Sequence, residues 1–166
     1  ELARAHAPGA TFRVGSIIDA EIPKCVAVTA VGEIFNYLFD PRQSSLGELT
    51  KIFRRVYEAL EKGGTFLFDL AGPGRAGRNG VTSSQRIEDN WACLYSAREL
   101  PSRLLVRKIT TFVRNGKHYA RSDEEHRLQL YAPNEVLSRL KKTGFRVRQR
   151  RSYGTHLLGP GWTVFV

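Results

Sequence analysis

The stretch Cys25-Val-Ala-Val-Thr-Ala-Val31, followed from Ser45 by a helical pattern and then by Thr65-Phe-Leu-Phe-Asp-Leu70, decides the fold. The first run is apolar at odd and even positions alike, which suits a strand covered on both faces of a parallel sheet. Ser45 and Glu48 have the spacing of a capping box, in which the serine hydroxyl serves an otherwise unpaired amide of the first helical turn. Leu46, Leu49, Ile52, Phe53, Val56 and Leu60 then recur on one helical face, and Gly63 is expected to stop the helix. Strand, helix, strand in this order predicts a right-handed parallel crossover.

Outward from this unit, Glu1-Leu-Ala-Arg-Ala-His6 reads as a helix ended by Pro8-Gly9, and Ala10-Thr-Phe-Arg-Val14 as a short strand closed by Gly15-Ser16;. Downstream, residues 91–99 and 104–114 are strand-like with no helix between them, and Asn115-Gly116 is a hairpin signal leading into 117–131;. The expectation is an antiparallel insert over about residues 85–131. A helix over 134–143 ends at Gly144, and strands near 145–152 and 162–166 complete a single domain spanning 1–166;. The sequence has no Met, and its first helix has no cap in front of it, so the chain is expected to begin mid-protein;. The terminal β-type run 162–166, which lacks a turn signal, suggests clipping there too.

With 166 residues, 42% of them hydrophobic, the chain can bury one core;. No apolar run approaches the roughly 20 residues of a membrane span, and no secretory leader is present, so a cytoplasmic protein is expected. Cys25 and Cys93 are too few and too far apart for a disulfide framework or a zinc site, and no metal cluster is expected. A formal charge of +10 admits an anionic partner;. Arginines are nevertheless spread along the chain apart from Arg146, Arg148, Arg150 and Arg151, whose alternation suits an exposed strand edge rather than a phosphate-binding stripe.

Gly72-Pro-Gly74-Arg-Ala-Gly77 matches the dinucleotide fingerprint in its letters;. That motif works only where a helix opens at its glycines, so that pyrophosphate meets a positive helix end. Arg78-Asn-Gly80 and Val81-Thr-Ser-Ser84 are expected to keep the chain irregular instead, which argues against nicotinamide.

Three short motifs carry more weight together: Gly15-Ser-Ile-Ile-Asp19 with Ile22-Pro23; Val31-Gly-Glu-Ile-Phe-Asn-Tyr-Leu38; and Phe68-Asp69 with Pro73-Gly74-Arg75. In this order, at the expected carboxyl ends of successive strands, they resemble class I S-adenosylmethionine-dependent methyltransferases of the small-molecule type. The resemblance runs through the insert and the helix ending at Gly144-Phe145. It implies an α/β, Rossmann-like, mostly parallel sheet carrying an antiparallel strand insert and lacking the first β-α-β portion. That missing portion would include the glycine loop and the ribose-binding acid.

The resemblance further implies S-adenosylmethionine as cofactor, bound by Ser16 and Ile17 near adenine and by Val31, Gly32 and Glu33 beneath the methionine portion. Asn36, Tyr37, Arg75, Glu125 and Tyr131 would face a small-molecule O, N or C acceptor, with Asp69 and His126 as catalytic groups. For Asp69 a structural salt bridge stays open as an alternative, for Tyr37 a core position, and for His126 a packed imidazole hydrogen-bonded to backbone. Methyl transfer from an activated donor needs alignment above all, and a base only where a proton must leave. Two rival readings are a basic nucleic-acid-binding module and a catalytically silent fragment that binds a partner; a homodimer is compatible with either class.

Overall fold

A computed structural model describes residues 2–40, 42 and 45–166. Glu1, at the head of the expected first helix, lies outside them, and α1 covers Leu2–His6. The main sheet has the order β1-β2-β10-β7, formed by β1 (Cys25–Ala30), β2 (Leu60–Ala71), β10 (Trp162–Phe165) and β7 (Gln149–Arg150). Helix α2 (Leu46–Ala59) connects β1 to β2, which run parallel as expected. Parallel pairing stops there, because β10 is antiparallel to both β2 and β7.

Ser45 caps α2, its hydroxyl accepting from the Glu48 amide at 3.2 Å. The helix buries Leu49, Ile52, Phe53 and Val56 against the sheet. Phe35 sits at the centre of this core, its ring edge-on to Phe53, Phe66 and Phe68. Aromatic pairs in such geometry add to the stabilisation from area burial alone. Helix α3 (Pro133–Thr143) packs beside α2 through Val136 and Leu140 and ends at Gly144 with φ 115°.

The insert forms a separate antiparallel sheet, β3 (Val81–Ile87), β4 (Trp91–Leu100), β5 (Leu104–Asn115) and β6 (His118–Gln129). Asn115 pairs with His118, so Gly116 and Lys117 make the two-residue hairpin turn;. Ala97, Leu105, Leu128 and Leu130 form a second core with Ala71 and Ala76. A small hairpin, β8 (Ser152–Tyr153) and β9 (His156–Leu157), lies between β7 and β10 in sequence.

Several expectations need correction. Residues 10–14 form no strand; they are exposed, and without a neighbour to supply a ladder their β propensity is not realised;. Gly63 does not stop α2, which ends at Ala59; it lies in the entry to β2, where the register with β1 slips. Val81 to Ser84 is the start of β3 rather than irregular chain, because it pairs with residues 95–98 of β4. No helix opens at the glycines of residues 72–77, so the physical condition for the dinucleotide motif is not met;. Finally, β1 is not covered on both faces: Val28 and Ala30 meet the core, whereas Ala27 and Thr29 on the opposite face are exposed, as is Val26 near the start of the strand;.

Candidate functional site

The carboxyl ends of β1 and β2 meet at Asp69, which is fully buried. Its carboxylate accepts from the amides of Gly32, at 2.9 and 3.1 Å, and Glu33, at 2.6 Å. The Tyr153 hydroxyl, reaching in from β8, donates to the same carboxylate at 2.6 Å. A buried carboxylate needs such donors to offset its lost hydration. In return it fixes the turn after β1, where Gly32 takes φ 94° and Glu33 φ 60°. Burial first, and then the Asp69 carboxylate, push the Tyr153 hydroxyl well above the usual phenol range.

The Glu33 side chain is buried too, gripped by Arg75 at 2.6 Å and by Arg107 of β5 at 2.7 Å. Arg107 also donates to the Tyr37 hydroxyl at 3.0 Å and lies over the rings of Tyr37 and Tyr95. Burial works against its charge, but the Glu33 carboxylate outweighs that and raises the guanidinium pKa above its ordinary value. Arg75 stacks on Trp162 of β10. One carboxylate thus binds the insert, the loop after β2 and the turn after β1 into one unit.

Asn36 is fully buried and clamps backbone: its amide nitrogen donates to the carbonyls of Ala71, at 2.8 Å, and Gln129, at 2.6 Å. Its oxygen accepts from the Ala71 amide at 2.9 Å. Tyr37 bridges to Leu128 and the Leu38 amide bonds to the Arg127 carbonyl, so the chain after β1 extends the insert sheet.

Gly15, Ser16 and Ile17 face Ile34, Tyr37, Phe39 and Asp40 across an open cleft of about 680 Å³. Ser16 donates to Asp40 at 2.7 Å, and Arg42 joins Asp40 to Asp19 at 2.6 Å each. Hydrogen bonds from Arg42 and Ser16 hold the Asp40 carboxyl far below the usual range. A Cβ placed at Gly32 would meet nothing within 4 Å, and the neighbouring Val31 and Ile34 are 48% and 40% exposed. The cleft itself offers apolar side chains, open backbone at Gly15 and a polar rim. A larger cavity, about 910 Å³, lies away from this rim, between Leu60–Phe66 and Phe145–Arg148.

Gly32, Glu33, Arg75 and Asp69 are thus joined at one end of the β1–β2 pair with Val31 just before them in sequence, Ser16 and Ile17 line the cleft with Tyr37, and Arg107 links Tyr37 to Glu33. His126 joins them from β6, its ring edge-on to Tyr37 at 5.5 Å and to Phe39 at 5.6 Å. Glu125 points the other way, exposed and paired with Arg127 at 3.0 Å. Tyr131 is buried in the main core, where burial pushes its hydroxyl up to about 12. Sequence reasoning missed Arg107 and Tyr153. A charge at an inward position between Leu105 and Ile109 signals the first, whereas nothing local signals the second.

No family model and no curated protein matches the chain. Solved structures do. A methyltransferase from Clostridium acetobutylicum, described as S-adenosylmethionine-dependent, is 22% identical with a TM-score of 0.77, over 99% of this chain and 67% of that one. DesVI of Streptomyces venezuelae is 20% identical, TM-score 0.76, over 99% and 68%. CalS10 of Micromonospora echinaspora, an amino pentose methyltransferase solved with SAM bound, is 16% identical, TM-score 0.74, over 99% and 67%. At these identities the likeness is one of architecture: the chain has the α/β fold of S-adenosylmethionine-dependent methyltransferases and spans about two thirds of their length.

Proposed function

We propose that this chain forms the acceptor-facing part of an S-adenosylmethionine-dependent methyltransferase acting on a small molecule. The observation that carries the reading is convergence. Gly32 and Asp69 are bonded to each other at the carboxyl ends of a parallel strand pair, and Ser16, from a separate segment, faces Ile34 and Tyr37 of the chain after that pair's first strand across a cleft. Open α/β sheets bind ligands at such strand ends.

The residues present fit one flank of such a cofactor. The apolar wall of Ile17 and Ile34 suits a purine face, and the uncovered backbone at Gly32 allows close approach of the amino-acid portion;. The Glu33 and Asp69 carboxylates already have their donors and are buried, so neither offers a free charge to the cofactor. When bound, the cofactor supplies a methyl group on an already activated sulfonium. This chain's task is then alignment: Asp69 holds the turn under the donor, and the insert brings His126 against Tyr37 of the segment after β1, on the acceptor side;. His126, in ring contact with Tyr37, is the proton acceptor of this reading;.

Thermal unfolding with S-adenosylhomocysteine tests the reading in the longest natural form of the gene product. A ligand at about 100 times its Kd should add roughly 2.7 kcal/mol of stability, while NADH adds none. Equal indifference to both would end the proposal. Stabilisation by single-stranded oligonucleotide that collapses with salt, and is lost on replacing the exposed Arg146, Arg148, Arg150 and Arg151, would favour the nucleic-acid reading instead;.

A further inference from the structure

On β6 the side chains of Glu124, His126 and Leu128 share one face, and the register sets His126 opposite Arg107 and Glu124 opposite Ile109 of β5;. His126 Nε2 lies 3.0 Å from Glu124 Oε2. Its other ring nitrogen, Nδ1, is buried and has no partner among the described residues. An ionised carboxylate can only accept, so in the neutral ring the hydrogen sits on Nε2 and the lone pair on Nδ1. A buried nitrogen lacking a donor is an exception that asks for an explanation, and a ligand hydrogen supplies one.

The surroundings agree. Glu124 lies beside the ring on its own strand, the Arg107 guanidinium across from it on β5, and the Tyr37 ring against it from the segment after β1. Phe39 closes the arrangement, stacked on Tyr37 at 5.0 Å and edge-on to the imidazole, yet 74% exposed and outside both cores. Tyr37 and Phe39 also line the cleft that holds Ser16, so both rings that touch the imidazole belong to that cleft.

We propose that Glu124 is a positioning residue: it holds His126 as the Nε2–H tautomer and so leaves Nδ1 as proton acceptor for a methyl acceptor bearing an O–H or N–H group. This rests on the methyl-transfer reading above and narrows it to hydroxyl and amine substrates. In the step, the lone pair of the acceptor oxygen or nitrogen forms the new bond to the methyl carbon. The carbon–sulfur bond breaks with its electron pair going to sulfur. The acceptor's proton passes to Nδ1, and the resulting imidazolium is neutralised by Glu124. The carboxylate thus serves twice, by orienting the ring and by balancing its charge.

Nitrogen-15 NMR of the chain with labelled histidine reads the tautomer directly, at alkaline pH where the imidazole is neutral. The sequence has four histidines, and a His126→Gln variant assigns the signal. Protonated Nε2 with bare Nδ1 is expected in the parent. Glu124→Ala should lose that preference and become a tautomer mixture, whereas Glu124→Gln, which keeps an accepting oxygen, should retain it. The Glu124 side chain is 54% exposed, so both variants should fold, as circular dichroism will verify. A proton on Nδ1 in the parent, or a tautomer indifferent to Glu124→Ala, overturns the proposal. Failure of the methyltransferase reading would appear separately, as no response to S-adenosylhomocysteine, and would leave the tautomer as it is.

Discussion

Asn36 and Tyr153 show how single side chains hold the rim together. Asn36 makes three hydrogen bonds to backbone in a fully buried place. Truncating it strands donors and acceptors that water cannot reach, so Asn36→Ala should destabilise the chain by about 2–4 kcal/mol in urea unfolding. Tyr153→Phe removes one donor from Asp69 and should cost about 1–2 kcal/mol near neutral pH;. The pH dependence has a definite sign. The Tyr153 pKa is raised in the folded state, so its contribution is complete below the ordinary phenol value of about 10;. That contribution fades as pH climbs from there toward the folded value. The parent should lose stability over this alkaline range more steeply than Tyr153→Phe, and matched thermal melts between pH 9 and pH 12 will measure the difference. Equal slopes would mean that the phenol is not held by Asp69.

Between elements, the insert is joined to the sheet by charge as well as by apolar packing. Arg107 of β5 and Arg75 of the loop after β2 share the Glu33 carboxylate, all largely buried. Removing Arg107 leaves the buried Glu33 carboxylate to Arg75 alone and strips one oxygen of its donor, so Arg107→Ala should destabilise by about 1–3 kcal/mol;. Adding Glu33→Gln to that variant should recover part of the loss, a non-additivity that a double-mutant cycle in denaturant will detect. Helix α3 depends on its own stop. A Cβ at Gly144 would sit 2.8 Å from the Tyr57 ring at a φ of 115° that side chains disfavour. Gly144→Ala should therefore cost about 1–3 kcal/mol, read as a lower Tm.

At the scale of the whole molecule, β1 pairs with β2 on one side, and among the described strands nothing pairs with its other side. Exposed Val26 lies on this edge strand. Unpaired edges recruit further strands, so the chain should self-associate with rising concentration, and Val26→Lys should suppress this in sedimentation velocity. What could be read beforehand were features carried by short-range patterns: the crossover from β1 through α2 to β2, the Ser45 cap, the Asn115-Gly116 hairpin and α3. Each depends on neighbours within a few residues, where periodicity and turn chemistry operate. The sequence by itself determined these elements and the side chains available to them. Partners distant along the chain decided the rest. Residues 10–14 had no neighbouring strand and form no regular element, whereas residues 81–84 found β4 and became a strand. Only tertiary structure turned Asn36 from a presumed substrate contact into a backbone clamp and sent Glu125 away from the cleft. It likewise brought Arg107 to Glu33 and Tyr153 to Asp69, separations of 74 and 84 residues. Burying a charge or hydroxyl depends on a donor or acceptor arriving from elsewhere, and a linear pattern does not contain that meeting.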